Sequence, residues 1–238
     1  MSSGYDREAR LAAGAAPDNL AAVRCTQELE ARGMRRLEVG LLETGLSARF
    51  TGWVGLTVRP VDGASGAVLV QPRVEVRDEE VSRLVAVLRG LSPGDPAARG
   101  HNLVLRELSS LIPGRGSLPR EWTARSGTEA EDVARRVADD VLAAGLPYLR
   151  SKAEPGAYFA EFTEQVWKLL WPHEAAVTYL MHGDPAAARR ILMTIARPVS
   201  QRPTAWAGQD RPSAAFFNSL TAHFGVDLKI DEWPAQGD

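Results

Sequence analysis

The stretch "WPHEAAVTYLMHGDPAAARRIL", Trp171 to Leu192, places His173, Glu174, His182 and Asp184 within a dozen residues. Imidazole and carboxylate groups bind zinc, and they carry general acid–base chemistry. Their spacing argues against a shared ion. Ligands on one helix must stand three or four residues apart, as in H-E-x-x-H. His173 and His182 are nine apart, about 900° of rotation, and face opposite ways on a single helix. Glu174 and His182 are closer in angle but roughly 12 Å apart along the axis.

Helix punctuation accounts for the same residues. Gly183 ends one helix in the left-handed region, Asp184 caps the next, and Pro185 takes its first position. Glu174 in a first turn and His182 at a C-terminus each suit the helix dipole. A helical hairpin is expected here. Its small-residue pattern resembles one tetratricopeptide-type unit, but a single copy is present and such arrays need about three.

Other nucleophiles and anion sites fare no better. Cys25 is the sole cysteine, which excludes an intramolecular disulfide and a thiolate metal cluster. It shares a helical face with Ala22 and Leu29 and reads as a core residue. Ser47 in "GLSAR" lacks the second glycine of a G-x-S-x-G elbow. "PGRGSLPR" offers Arg115 and Arg120 to an anion but matches neither a phosphate-binding loop nor a dinucleotide fingerprint.

The remaining chemistry lies on strands. Arg36, Arg49, Arg59, Arg73 and Arg77 are expected to point one way, around an outward-facing Trp53. Arginine and tryptophan are enriched at protein-interface hot spots and can also stack on bases. Arg49, Trp53, Arg59, Arg73 and Arg77 are therefore the candidate partner-binding residues. "RFTGWVGLTV" is similar to the aromatic strand of an RNA-recognition sheet, without its set of stacking aromatics. The same side could also be merely solvated, or covered by the helical half.

The elements that position these residues follow from periodicity. From Pro17 a helix runs to Gly33. A period of two then gives three strands, through Leu37–Leu41, Ala48–Val58 and Val68–Val76, an antiparallel meander with one apolar face. Pro72 cannot donate to a ladder and predicts an edge or a bulge. Asp78 caps a helix through Val81, Leu84, Val85 and Leu88, expected to cover the apolar side of the sheet. "HNLVLRELSSLIP" suits helix or strand, and "EWTAR" suits one more short strand.

The second half reads as helical. Thr128 and Glu131 form a capping box for a helix ending near Gly145, where "GLPYL" makes a break. A helix from about Pro155 to Trp171 carries a broad apolar face with Trp167 and Trp171 beside it, suited to burial or to a partner. Ser213 caps a last helix ended by Gly225, and "VDLKIDEW" suits a short strand. The fold class is α+β, with a disordered tail over 1–16, an α+β domain over 17–150, and a helical region over 151–238 packed on it as one unit.

The totals bound the function classes. At 238 residues and 45% apolar content the chain can bury a substantial core. A formal charge of −2 provides no global field toward nucleic acid or anionic lipid. No apolar run approaches the roughly 18–20 residues of a membrane span, and the polar start is no signal peptide, so a cytoplasmic protein is expected. Only Lys152, Lys168 and Lys229 are lysines among 28 basic residues, a bias of GC-rich bacterial genomes.

The order of a leading helix, a sheet meander, a capped helix, "EWTA" at Trp122 and then "GLPYLRS" resembles a family of uncharacterised bacterial proteins containing a domain of unknown function. The resemblance covers about residues 17–165. Some such proteins sit beside polymorphic toxins and are thought to be immunity proteins, which implies protein binding without catalysis. A non-enzymatic binding or accessory protein is thus the first expectation, with no catalytic residue, metal or cofactor and a protein partner. An enzyme or small-ligand binder with His101, Glu107 and His173 in a pocket between the halves is the second. Single-stranded nucleic-acid binding is the third.

Overall fold

The structure, a computed structural model, describes residues 20–61, 66–92, 104–112, 122–164, 171–197, 200 and 213–228, without the side chains of 162–164. The expectations for residues 1–16, His101, "PGRGSLPR", Trp167 and 201–212 lie outside them. The chain divides into two compact units that interleave in sequence. One is formed within residues 5–77 and 104–158, the other within 78–103 and 159–238.

The first unit is built on a six-stranded antiparallel sheet. Its strands are β1 (Arg35–Glu38), β2 (Leu41–Gly45), β3 (Phe50–Pro60), β4 (Val68–Asp78), β5 (Val104–Glu107) and β6 (Thr123–Ala124). They lie in the order β1-β2-β3-β4-β5, and β6 also pairs with β4. The expected first strand is in fact a hairpin, because Gly40 turns the chain with φ 84° between β1 and β2. The short β5 runs into a 3-10 turn at Leu108–Leu111, which explains why that segment read as both strand and helix. Pro72 lies in β4, which is not an edge strand. It falls between residues 68–69, which pair with β6, and residues 73–76, which pair with β5, where the pairing on that flank of β4 passes from one strand to the other.

One side of the sheet carries Phe50, Val54, Leu56, Val58, Val70, Val74 and Val76, all buried. Helix α1 (Leu20–Ala31) packs there on β1 to β3 and along α3 (Gly127–Asp140). Thr26 of α1, buried, accepts a hydrogen bond from Gly40 N at 3.0 Å and donates to Ala22 O at 2.8 Å, which ties the β1–β2 hairpin to the helix. Arg24–Glu131 and Arg32–Asp139 ion pairs cross between α1 and α3.

Helix α3 is capped by Ser126, two residues before the expected Thr128. The Ser126 hydroxyl accepts from Glu129 N, and the Glu129 carboxylate accepts from Arg125 N. Nor does the helix break at "GLPYL". It passes through a π turn, Val141–Gly145, into α4 (Leu146–Ser151). The i→i−5 bond from Leu146 N to Val141 O shifts the ladder just where Pro147 would clash with an α-helical carbonyl.

The second unit is helical. It holds α2 (Glu79–Leu88), residues 159–164 of α5 (Pro155–Glu164), α6 (Pro172–Met181), α7 (Pro185–Ala196) and α8 (Ala214–Phe224). Asp78 caps α2 as expected, accepting from Glu80 N and Val81 N. Contrary to expectation, α2 packs on α6 and α8 within this unit, while α1 takes the apolar side of the sheet. Helix α6 is buried on every side from Pro172 to Leu180. Gly183 (φ 74°), Asp184 and Pro185 form the expected punctuation, with Asp184 Oδ1 accepting from Ala187 N at 2.8 Å. Val226 to Leu228 form no strand, and the rest of "VDLKIDEW" is outside the described residues.

Candidate partner-binding face of the sheet

Alternation puts Trp53, Gly55, Thr57 and Arg59 of β3 on the side opposite the core, with Arg73, Glu75 and Arg77 of β4. Trp53 pairs with Glu43 of β2, and Arg73 with Glu107 of β5, so both glutamates join this side. Glu43 is held in an ion pair by Arg35, its partner across β1. Acidic residues therefore share this side with the arginines.

The arginines differ in what holds them. Arg73 makes an ion pair with Glu75 at 2.7 Å, with side chains 13% and 9% exposed. Burial explains the pairing, since an isolated charge in that setting would be costly. The Arg77 guanidinium lies 5.5 Å from the centre of the Trp53 ring, in cation–π range. Arg59, near the end of β3, is exposed.

Glu107 is exposed, yet its carboxyl titrates above the usual glutamate range. Partial desolvation is the main cause and the nearby Glu75 charge adds to it, while Arg73 and Arg59 act in the opposite sense. The sequence could have shown the cluster through "R-V-E" at 73–75, because residues two apart on a strand share a face.

Three expected features differ. Trp53 lies on the expected side but is not outward-facing: it is 8% exposed, and its buried indole nitrogen makes no hydrogen bond. Arg36 registers with Leu42 and so lies on the core side, near Glu30 of α1 at 4.0 Å; the bulge between Arg36 and Glu38 sets that register. Arg49 precedes β3, in a turn where the Ser47 hydroxyl accepts from the Arg49 and Phe50 amides. Its guanidinium stands 5.5 Å from the ring centre of Phe50, a core-side residue in contact with Tyr158.

Of the residues considered for catalysis, His101 lies outside the described residues. Glu107 belongs to the sheet unit and His173 to the helical unit, where His173 lies edge-on to Phe216. His182 stacks on Phe159 with ring centres 4.0 Å apart. Among the described residues no group of three or more His, Cys, Asp or Glu side chains could hold a metal ion. Cys25 is fully buried and its thiol is pushed up to about 12, chiefly by burial and then by Glu28. Among the described residues no helix is long and apolar enough to cross a membrane. No family model, no curated protein and no solved structure matches the chain.

Proposed function

We propose that this chain is a non-enzymatic binding protein that docks a protein partner on the arginine-bearing side of its sheet, in the manner of an immunity-type partner of a bacterial toxin. The observation that carries this reading is the exposed Arg59 on the same side of the sheet as the buried Arg73–Glu75 pair. Fixed charges favour selectivity and rapid encounter with a partner of complementary charge. Arg59 and Arg77 are the residues of this side expected to meet it, whereas Trp53 and Arg73 hold the platform from within.

Co-expression with the protein encoded by the adjacent gene tests the reading. A complex should co-elute in size-exclusion chromatography, and Arg59→Glu with Arg77→Glu should weaken it by at least tenfold. For a toxin partner, the double variant should also lose protection of growth. A complex unaffected by both substitutions places the interface elsewhere.

A further inference from the structure

Two tryptophans of the sheet unit are buried alike and hydrogen-bonded differently. Trp122 is 4% exposed, and its indole N–H donates to the Asp140 carboxylate at 3.2 Å. Trp53 is 8% exposed, and its buried indole N–H meets no acceptor among the described residues. An indole nitrogen only donates, so nothing but an acceptor can answer it. The charged group set over its ring is the Arg77 guanidinium, 5.5 Å from the centre, which has no acceptor to offer. Two acids of the same side, Glu43 and Glu75, are ion-paired with Arg35 and Arg73. An indole N–H and a guanidinium thus adjoin, and both are donors.

We infer that Trp53 Nε1 and the Arg77 guanidinium together receive one Asp or Glu carboxylate of the docked protein partner, an oxygen of which accepts from the indole as Asp140 does from Trp122. This rests on the binding reading above and names the partner group that the face recognises. A buried donor without an acceptor is costly in the free protein, and an acceptor carried by the partner removes that cost only in the complex. Carboxylate is favoured over a neutral carbonyl, because Arg77 brings a positive charge to the same place. Cation–π contact keeps Arg77 there, so the face of the ring holds one donor while its edge supplies the other. Arg77 is half-buried, and its long side chain is what shifts to admit the oxygen.

The test uses the full chain, labelled with nitrogen-15, and a blocked hexaglutamate peptide as probe at low ionic strength. The Trp53 indole N–H resonance is assigned by through-bond correlation and by its absence from Trp53→Phe. It should move downfield and saturate as peptide is added. The Trp122 resonance, already bonded to Asp140, should stay in place. A blocked hexaglutamine peptide should move neither. Trp53→Phe keeps a ring beneath Arg77 and loses the donor, and it should bind hexaglutamate about tenfold more weakly in calorimetry, the size of one hydrogen bond to a charged group. Arg77→Gln should weaken binding to a similar extent.

The wild-type titration decides even if a variant fails to fold. A Trp53 resonance that hexaglutamate leaves in place, or that moves no more than that of Trp122, overturns the assignment. So does an equal response to hexaglutamine, which would mean any acceptor, or a response to oligothymidylate alone, which would mean nucleic acid. If the co-expressed partner complex is weakened by Arg59→Glu with Arg77→Glu while the Trp53 resonance is the same free and bound, the carboxylate receptor fails and the binding reading stands.

Discussion

Arg73 lies in the space that Gly55 leaves: a Cβ at position 55 would stand 2.8 Å from the Arg73 Nε. The absence of a side chain on β3 lets a guanidinium from β4 lie along the sheet and reach Glu75. Gly55→Val should therefore push Arg73 off its partner and deprive the buried Glu75 of that ion pair. The expected loss is about 3 kcal/mol of unfolding free energy, the range for breaking a buried pair from one side. Urea denaturation measures it. Gly55→Val combined with Glu75→Gln should recover part of that loss, and an additive double variant would show that the glycine does not position Arg73.

Glu107 sets a pH dependence with a definite sign. Its carboxyl titrates higher in the folded chain than in an unfolded one, so the fold binds more protons than the denatured state through that window. Stability should fall as pH rises from the ordinary glutamate value of about 4.3 through the raised folded value, opposite to the usual salt-bridged carboxylate. Glu107→Gln should remove this slope and be more stable than the wild type at neutral pH. Denaturation curves from about pH 4 to pH 7 decide it, with the wild type as reference. A variant that keeps the slope would assign it to another group.

Much of the architecture was legible, and its limits have physical causes. Period-two alternation placed Trp53, Arg59, Arg73 and Arg77 on one side, because strand geometry alone fixes that choice. It could not tell whether the side is wet. Trp53 was expected in solvent and is buried, since exposure depends on what covers a surface and not on its own pattern. Arg36 was misplaced by a single bulge, which reverses the facing of every residue beyond it. The helix at 79–88 showed its cap and apolar stripe, but a stripe does not say which apolar surface it will meet. The Glu107 cluster depends on β4–β5 register between strands far apart in sequence, which no local signal carries.

Asp184 should matter as a cap and not as a ligand. Its carboxylate accepts from Ala187 N at 2.8 Å at the start of α7. Asp184→Ala should cost about 1 kcal/mol, and Asp184→Ser or Asp184→Asn should restore most of it. Thermal denaturation of the three variants checks this. Loss of a bound metal on Asp184→Ala, detected by elemental analysis, would revive the ligand reading instead.

Cys25 should be chemically silent in the folded chain. Its side chain is fully buried and its thiol is pushed up to about 12, so the thiolate is scarce at ordinary pH. Modification by a thiol-reactive disulfide reagent at about pH 8 should be slow, and should accelerate in urea in parallel with global unfolding. Rapid labelling of the native protein would mean that α1 opens locally from α3.

Gly145 fixes where the π turn meets the sheet. A Cβ there would lie 3.1 Å from Val74 Cγ1 and 3.3 Å from Leu108 Cδ1, closer than ordinary van der Waals contact. The backbone of the turn therefore rests directly on β4 and on the 3-10 turn after β5. Gly145→Ala has two opposed effects: alanine favours helix by about 1 kcal/mol over glycine, and overpacking costs about 1–3 kcal/mol. Steric overlap with two core side chains should win, leaving a net destabilisation. Gly145→Val should cost more, because two further methyl groups enter a filled core. Val74→Ala placed with Gly145→Ala should then return some of the loss by emptying the space that the new Cβ needs. Strict additivity of the two substitutions in urea denaturation would show that the turn yields independently of β4, and that the close approach of Gly145 to the sheet does not hold it there.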